Sequence, residues 1–303
     1  MVQAKRKNNF SQERRNFIPA PYDLVYQCFK DSGFHTQSKE FFKQNASQIA
    51  QSLRKETWKR YTEFEKTYSN HVYDPIVHSL DYGDMTPQQA ILHFLSVKDD
   101  LVYDFSLSKT QSRRSRSGKE FESIIELVFM GAGIELDSQG NIASRFFTEK
   151  DLGKAVDLVI PGALEFGINK RNVALISAKT TLRERWQEVS EEMSRTGVSE
   201  MYLMTLDENI SDKVLENLYE SNVIVVTLKH IKEKNYAHTT RVITFEDLLH
   251  VAETKALSWK QYPYSEEEIN QKTAARESQI KKHGDKDFVV SYYRSIEGNF
   301  SDS

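Results

Sequence analysis

Apolar positions along the chain fall into two regimes. Through roughly the first 110 residues they recur every three or four positions. Residues 43–68 carry such a stripe through Ala46, Ile49, Ala50, Leu53, Tyr61 and Phe64, the spacing of one face of a long helix. Residues 1–110 therefore read as mostly helical, with Pro19, Pro21, Pro75 and Pro87 as breaks. The basic, Ser/Thr-rich stretch 107–117 reads as a loop or linker. From Gly118 the pattern changes. Residues 119–130 are amphipathic and close on Gly131 and Gly133. Apolar runs of strand length follow: weak over 141–147, stronger over 155–160 (AVDLVI, ended by Pro161-Gly162), clearest over 172–179 (NVALISAK). Then come a helix over 182–195, a strand over 201–206, a helix over 211–220, a strand over 223–228 and a helix over 245–252. The charged stretch 265–282 reads as a peripheral helix. This order predicts an α/β fold, a mixed sheet flanked by helices with a helical N-terminal arm. The two parts are 1–110 and a core of 111–303, joined as one compact unit.

Composition narrows the class. With 39% hydrophobic and 28% charged residues, the 303-residue chain can bury a core and stay in solution. No apolar run approaches the length of a bilayer span, and the N-terminal MVQAKRKNNF has no apolar stretch behind its basic residues, unlike a secretory signal. The single cysteine, Cys28, excludes an intramolecular disulfide and a cysteine zinc site, and fits a reducing cytoplasm. The net charge of −3 speaks against a polyanion partner only if charge is spread evenly. It is not. Lys109, Arg113, Arg114, Arg116 and Lys119 share one acid-free stretch, Lys179, Arg183 and Arg185 form a second cluster, and acids gather over 188–192 and 265–268. Phosphate contacts from Lys109, Arg113, Arg114 and Arg116 follow as an expectation.

The candidate chemistry sits on the strands. Asp157 interrupts the apolar AVDLVI, where a carboxylate needs a partner. Lys179 ends the next strong strand, and adjacent strands would set the two side by side. Alone, they are a salt bridge. With a second carboxylate they become a site for phosphodiester hydrolysis, in which carboxylates hold a divalent metal, Mg2+ by its taste for oxygen, and a lysine serves the attacking water or the transition state. Such sites commonly carry the second acid two residues before the lysine. Here that position is Ser177, so the acid must come from elsewhere. On the following helix the apolar face is Leu182, Trp186, Val189 and Met193. At about 100° per residue Glu192 flanks that face, whereas Glu191 points away. The same count over 119–130 puts Glu122 at the edge of its apolar face and Glu126 further out. Glu122 is thus a fourth site member or a structural ion pair.

These residues resemble a known family. The run Ser177-Ala178-Lys179-Thr180-Thr181-Leu182-Arg183-Glu184-Arg185-Trp186, with Asp157 upstream, Glu192 downstream and Arg113 to Glu122 (RRSRSGKEFE) before them, is similar to type II restriction endonucleases of the PD-(D/E)xK superfamily. The resemblance is strongest to the SsoII type, which recognises CCNGG, and its EcoRII, PspGI and NgoMIV relatives. Val156 stands where the formal signature has proline. The resemblance implies Mg2+-dependent cleavage before the outer C, with the second acid on the helix. It implies base reading by Arg183, Glu184 and Arg185, since arginine forks onto guanine and glutamate accepts from cytosine. It places Gln111 at the central base pair, and Arg54 with Trp58 around an extruded central nucleotide. Two-fold symmetric DNA implies a homodimer, and a restriction system implies a methyltransferase in the same cell. A structure-specific or repair nuclease of the same fold, and a non-catalytic sequence-specific DNA-binding protein, remain alternatives. A partner subunit packing on Trp58 and a plain helix-start charge cluster at 183–185 also stand open.

Overall fold

The computed structural model describes residues 9–139, 152, 156–182 and 186–297. Five helices come first: α1 (Phe10–Phe17), α2 (Pro21–Asp31), α3 (Lys39–His78), α4 (Pro87–Val97) and α5 (Asp99–Gly131). Their starts are set by local chemistry. Pro21 and Pro87 occupy first turns, where the missing N–H costs nothing. Ser38 caps α3 by accepting from the Phe41 amide, and Thr86 forms a capping box with Gln89. Pro75 does not break α3 as expected; it lies inside, with only three residues of helix after it.

The expected loop over 107–117 is instead the middle of α5, which runs unbroken for 33 residues and passes straight through the suggested boundary at 110. The stretch 99–117 contains neither glycine nor proline, and Thr110 satisfies its hydroxyl on the Ser106 carbonyl one turn back. Partners outside the stretch fix the rest. Glu65 of α3, almost fully buried, takes Arg113 and the Tyr61 hydroxyl and lies 3.8 Å from Lys109, while Arg116 bonds Glu120 at 2.5 Å.

Strands β1 (Asp137–Ser138), β2 (Leu158–Ile160), β3 (Ala174–Lys179), β4 (Met201–Thr205), β5 (Val223–Thr227) and β6 (Val242–Thr244) form one sheet in chain order. β1–β2 and β2–β3 are antiparallel, and β3 to β6 are parallel. The mixed sheet expected from the alternation is therefore present. Helices α6 (Ala163–Ile168), α7 (Trp186–Thr196), α8 (Asp212–Glu220), α9 (Lys229–Asn235) and α10 (Phe245–Ser258) connect or follow the strands. The expected strand over 141–147 lies outside the described residues. No helix among the described residues is long and apolar enough to cross a membrane.

The C-terminal charged stretch becomes α11 (Glu266–Lys282), followed by α12 (Asp287–Glu297), which the sequence pattern did not announce. α11 is not solvated all round. Lys272 and Arg276 are buried against Glu135, and Lys272 also reaches Glu165, so these two charges turn inward to ion pairs while Glu266, Glu267, Glu277, Lys281 and Lys282 stay exposed.

The main core gathers α2, the first part of α3, the second half of α5, the sheet and α10. A smaller cluster, with Phe10, Tyr61, Tyr68, Val72 and Phe105, joins α1 to the middle of α3 and α5. Because the last three turns of α5 are enclosed on all sides, Glu126 is fully buried, contrary to its expected outward position. One oxygen accepts from the Ser138 hydroxyl at 2.7 Å, while the other has no partner among the described residues. Burial pushes this carboxyl up to about 8. Below about 4.5 the group is protonated in both folded and unfolded chains. From there to about 8 only the unfolded chain ionises, so stability should fall as pH rises through that window and then level. Glu126→Gln should remove this decline; thermal melts of the two proteins from pH 4.5 to 8 with parallel slopes would rule it out.

Candidate active site

The antiparallel β2–β3 pair brings the start of one strand to the end of the other. The register sets Leu158 opposite Ile176, so one position further Asp157 comes opposite Ser177. Asp157 is still tied to the sheet: its amide donates to the Ile176 carbonyl and its carbonyl accepts from Gln139. Its side chain accepts from the Ala178 amide at 2.6 Å. That bond points the carboxylate at the residue between Ser177 and Lys179.

Lys179 is the last residue of β3, at the carboxyl end of the parallel strands, where open α/β sheets place their ligands. Its ammonium lies 3.8 Å from Glu192, and the two side chains are 11% and 15% exposed. The Ser177 hydroxyl donates to the other Glu192 oxygen at 3.4 Å. A carboxylate from α7 thus reaches the strand position that lacks one. Helical phase explains the choice: Val189 and Met193 bury the inner face of α7, while Glu191 is 71% exposed and pairs with Arg195. The Leu182 amide donates to Asp207 at 3.1 Å, which fastens the turn after Lys179 to the segment following β4. Nothing in the spacing pointed to Asp207, 25 positions downstream.

Glu122 enters from α5. Burial and then the Asp157 charge push its carboxyl up to about 7, with Lys179 and Lys119 pulling it back. Burial also lifts the Glu192 carboxyl, against Lys179 and with Asp157. Three carboxylates therefore compete for one lysine, and the edge carries excess negative charge. Among the described residues no three His, Cys, Asp or Glu side chains close on a point as a self-sufficient metal cage. Two or three oxygen donors on an open edge instead suit a hard divalent cation that keeps water and phosphate in its remaining positions.

The other expected site residues are distributed along the helices. Arg54 is fixed by Ser117, with 2.6 Å to its hydroxyl and 3.2 Å to its carbonyl, and lies 3.8 Å from Glu120. Trp58, one turn later, is 39% exposed, with the Arg113 guanidinium 5.8 Å from its ring. Gln111 and Arg114 are exposed on α5. Of the four cations expected on phosphates, Lys109, Arg113 and Arg116 lean on Glu65 or Glu120; among the described residues Arg114 has no carboxylate partner. Arg183, Glu184 and Arg185 lie outside the described residues.

Residues 83–249 match the family described as EcoRII C terminal. The chain is similar to the type II restriction enzyme SsoII of Shigella sonnei, 44% identical over 95% of both chains. Among solved structures it is similar to metal-depleted Ecl18kI in complex with uncleaved DNA, at 43% identity and a TM-score of 0.86, covering 95% of this chain and 96% of that one. The PspGI restriction endonuclease in its substrate DNA complex shares the fold at 15% identity and a TM-score of 0.60, covering 85% and 99%.

Lys179→Met should raise the Glu122 titration above about 7 in metal-free protein, because the pull of Lys179 on that carboxyl is lost. Side-chain carboxyl NMR reads it directly, and an unmoved titration would separate Lys179 from Glu122.

Proposed function

The chain belongs to the type II restriction endonucleases related to SsoII, and from that premise we propose that it cuts double-stranded DNA at CCNGG, before the outer C, with Mg2+. The observation that carries the catalytic reading is the Asp157 carboxylate, held by the Ala178 amide, beside a Lys179–Glu192 pair on the same sheet edge. Asp157 and Glu192 are the metal-holding carboxylates, and the hard cation bound there supplies Lewis acidity and an acidified water. Lys179, paired with Glu192, donates hydrogen bonds to the attacking water and to the phosphate oxygens as their charge grows. Ser177 keeps the Glu192 carboxylate turned toward the strand edge. Glu122 faces the same charges from α5 and acts as a water or metal partner.

Specificity is assigned to Arg183, Glu184 and Arg185, which begin four positions after Lys179 in the chain. Two arginines and a glutamate carry the donors and acceptors that successive G·C pairs require in the major groove. Gln111 is assigned to the central pair. Arg54 and Trp58, one turn apart on α3, form the two walls for an extruded central base: Arg54 is anchored on Ser117 and Trp58 is open to solvent. A homodimer follows from the two-fold symmetry of such a site. The exposed apolar residues Ile91, Leu92 and Leu95 of α4 and Tyr103 and Leu107 of α5 support a second copy as their cover. A methyltransferase guarding the same sequence belongs in the same cell, with both proteins in the cytoplasm.

Plasmid digestion with Mg2+ should give discrete fragments, and sequencing their ends should return CCNGG cut before the outer C. A smear, or cutting only at branched junctions, would favour a structure-specific nuclease. Glu192→Ala should lose at least about 100-fold in cleavage rate, whereas Glu191→Ala, on the solvated face, should cut at close to the wild-type rate. Equal rates for the two would undo the assignment of the second acid. With 2-aminopurine at the central position, binding in Ca2+ should change its fluorescence in the wild type and much less in Trp58→Ala. The same response from both would separate Trp58 from the base.

A further inference from the structure

A second basic feature lies beside the expected DNA-binding face and adds Arg14, Arg15 and Lys119 to the residues assigned above. Between α1 and the middle of α5, against the start of α2, is a cavity of about 470 Å3. Four cations line it, Arg14, Arg15, Arg116 and Lys119, with Gln111 and Ser115, and no carboxylate stands among the described residues of its wall. Two of these cations are buried. Arg14 is 4% exposed, and its Nη1 donates to the Ser108 carbonyl and hydroxyl at 2.9 and 3.1 Å. Among the described residues its Nε and Nη2 have no hydrogen-bond partner, and the guanidinium rests on the Tyr68 and Phe105 rings at 5.3 and 5.8 Å. Arg116, 8% exposed, is paired with Glu120 and donates to the Pro19 carbonyl, and its Nη2 has no partner among the described residues.

A buried guanidinium without a carboxylate is costly to keep, because the missing water is replaced only in part. The rings that hold Arg14 contribute modestly. The surplus charge is therefore better explained by an anion that completes the wall from outside. Exposed Arg15 and Lys119 stand at the rim. Lys119 is also the residue that ties the cavity to the reacting centre, since its charge acts on the Glu122 carboxyl. Gln111, assigned to the central base pair, faces the same cavity.

We propose that this cavity seats a backbone phosphate of the bound DNA, with Arg15 and Lys119 making the contact and the buried Arg14 supplying the positive field behind them. Arg15 is then a positioning residue: it fixes the strand relative to Gln111 and the sheet edge and touches no reacting atom. The proposal rests on the DNA-cleaving reading above and gives α1, part of the helical arm expected to wrap DNA, a specific phosphate contact.

The test uses the full-length protein and the duplex that the wild type is found to cut. Binding is measured in Ca2+ across a salt series for wild type, Arg15→Ala and Arg15→Lys. Arg15→Ala should weaken binding by about tenfold and lower the slope of log affinity against log salt by about one, the signature of one lost phosphate contact, and Arg15→Lys should restore most of both. A neutral methylphosphonate scanned along the strand should weaken the wild type at one position that no longer matters in Arg15→Ala. An Arg15→Ala protein with wild-type affinity and slope would overturn the proposal. So would calorimetry in which inorganic phosphate binds the free protein with sub-millimolar affinity while duplex binding ignores Arg15, since the cavity would then serve a free anion. A wild type that cuts discretely with no Arg15 effect sinks the cavity alone, whereas a wild type that leaves plasmid intact takes both readings down.

Discussion

The hydrogen bond from the Ala178 amide to the Asp157 carboxylate is the constraint around which the site is arranged. It exists because β2 runs antiparallel to β3, so that the first residue of one ladder meets the last residues of the other. A carboxylate fixed there sits next to Lys179, and any further acid must approach against its charge. Like charges about 5 Å apart at a protein edge repel by roughly 3 kcal/mol, a sizeable part of the roughly 5–15 kcal/mol that holds a domain folded. The acids stay together because each is mounted on a separate rigid element: Asp157 before β2, Glu192 on α7 and Glu122 on α5. The scaffold holds the charge in place, and burial, with the Asp157 charge adding to it, raises the Glu122 and Glu192 carboxyls.

The basic half of the molecule follows an opposite logic. Arginines that a sequence scan assigns to the nucleic acid are mostly bonded inside the helical layer, Arg113 to Glu65 and Arg116 to Glu120 and the Pro19 carbonyl. The Arg113–Glu65 pair clamps α3 to α5, where Arg54 of α3 also bonds Ser117 of α5 beside exposed Trp58. Stiffness there matters to the proposed function, because a slot for an extruded base gains affinity when its walls are already in place. Arg14, buried with no carboxylate partner among the described residues, lines the open cavity instead.

Phase arguments succeeded where one face of an element meets water. On α7, Val189 and Met193 face inward and Glu191 faces solvent, so a 100° count separates Glu192 from its neighbour. The same count misplaced Glu126, because α5 has protein on every side there and no solvent face exists to count from. The stretch 107–117 was misread for a related reason. Its polar residues look like a loop until Glu65, some 48 positions away, supplies the partner that makes them helical. Charge in α11 likewise looked solvated until Glu135 and Glu165 came within reach.

By itself the sequence determined the alternation of helices and strands, the two strand residues Asp157 and Lys179, and the absence of an acid at Ser177, because strand periodicity and residue chemistry are local. It also narrowed the missing acid to one residue of a helix. Only the tertiary structure decided that Glu192 closes on Ser177 and Lys179, that the basic stretch is a braced helix, and that Arg14 stands buried beside a cavity with no carboxylate partner among the described residues. Those outcomes depend on contacts between residues tens of positions apart, and a charge has no fixed role until the fold decides which other charges stand beside it.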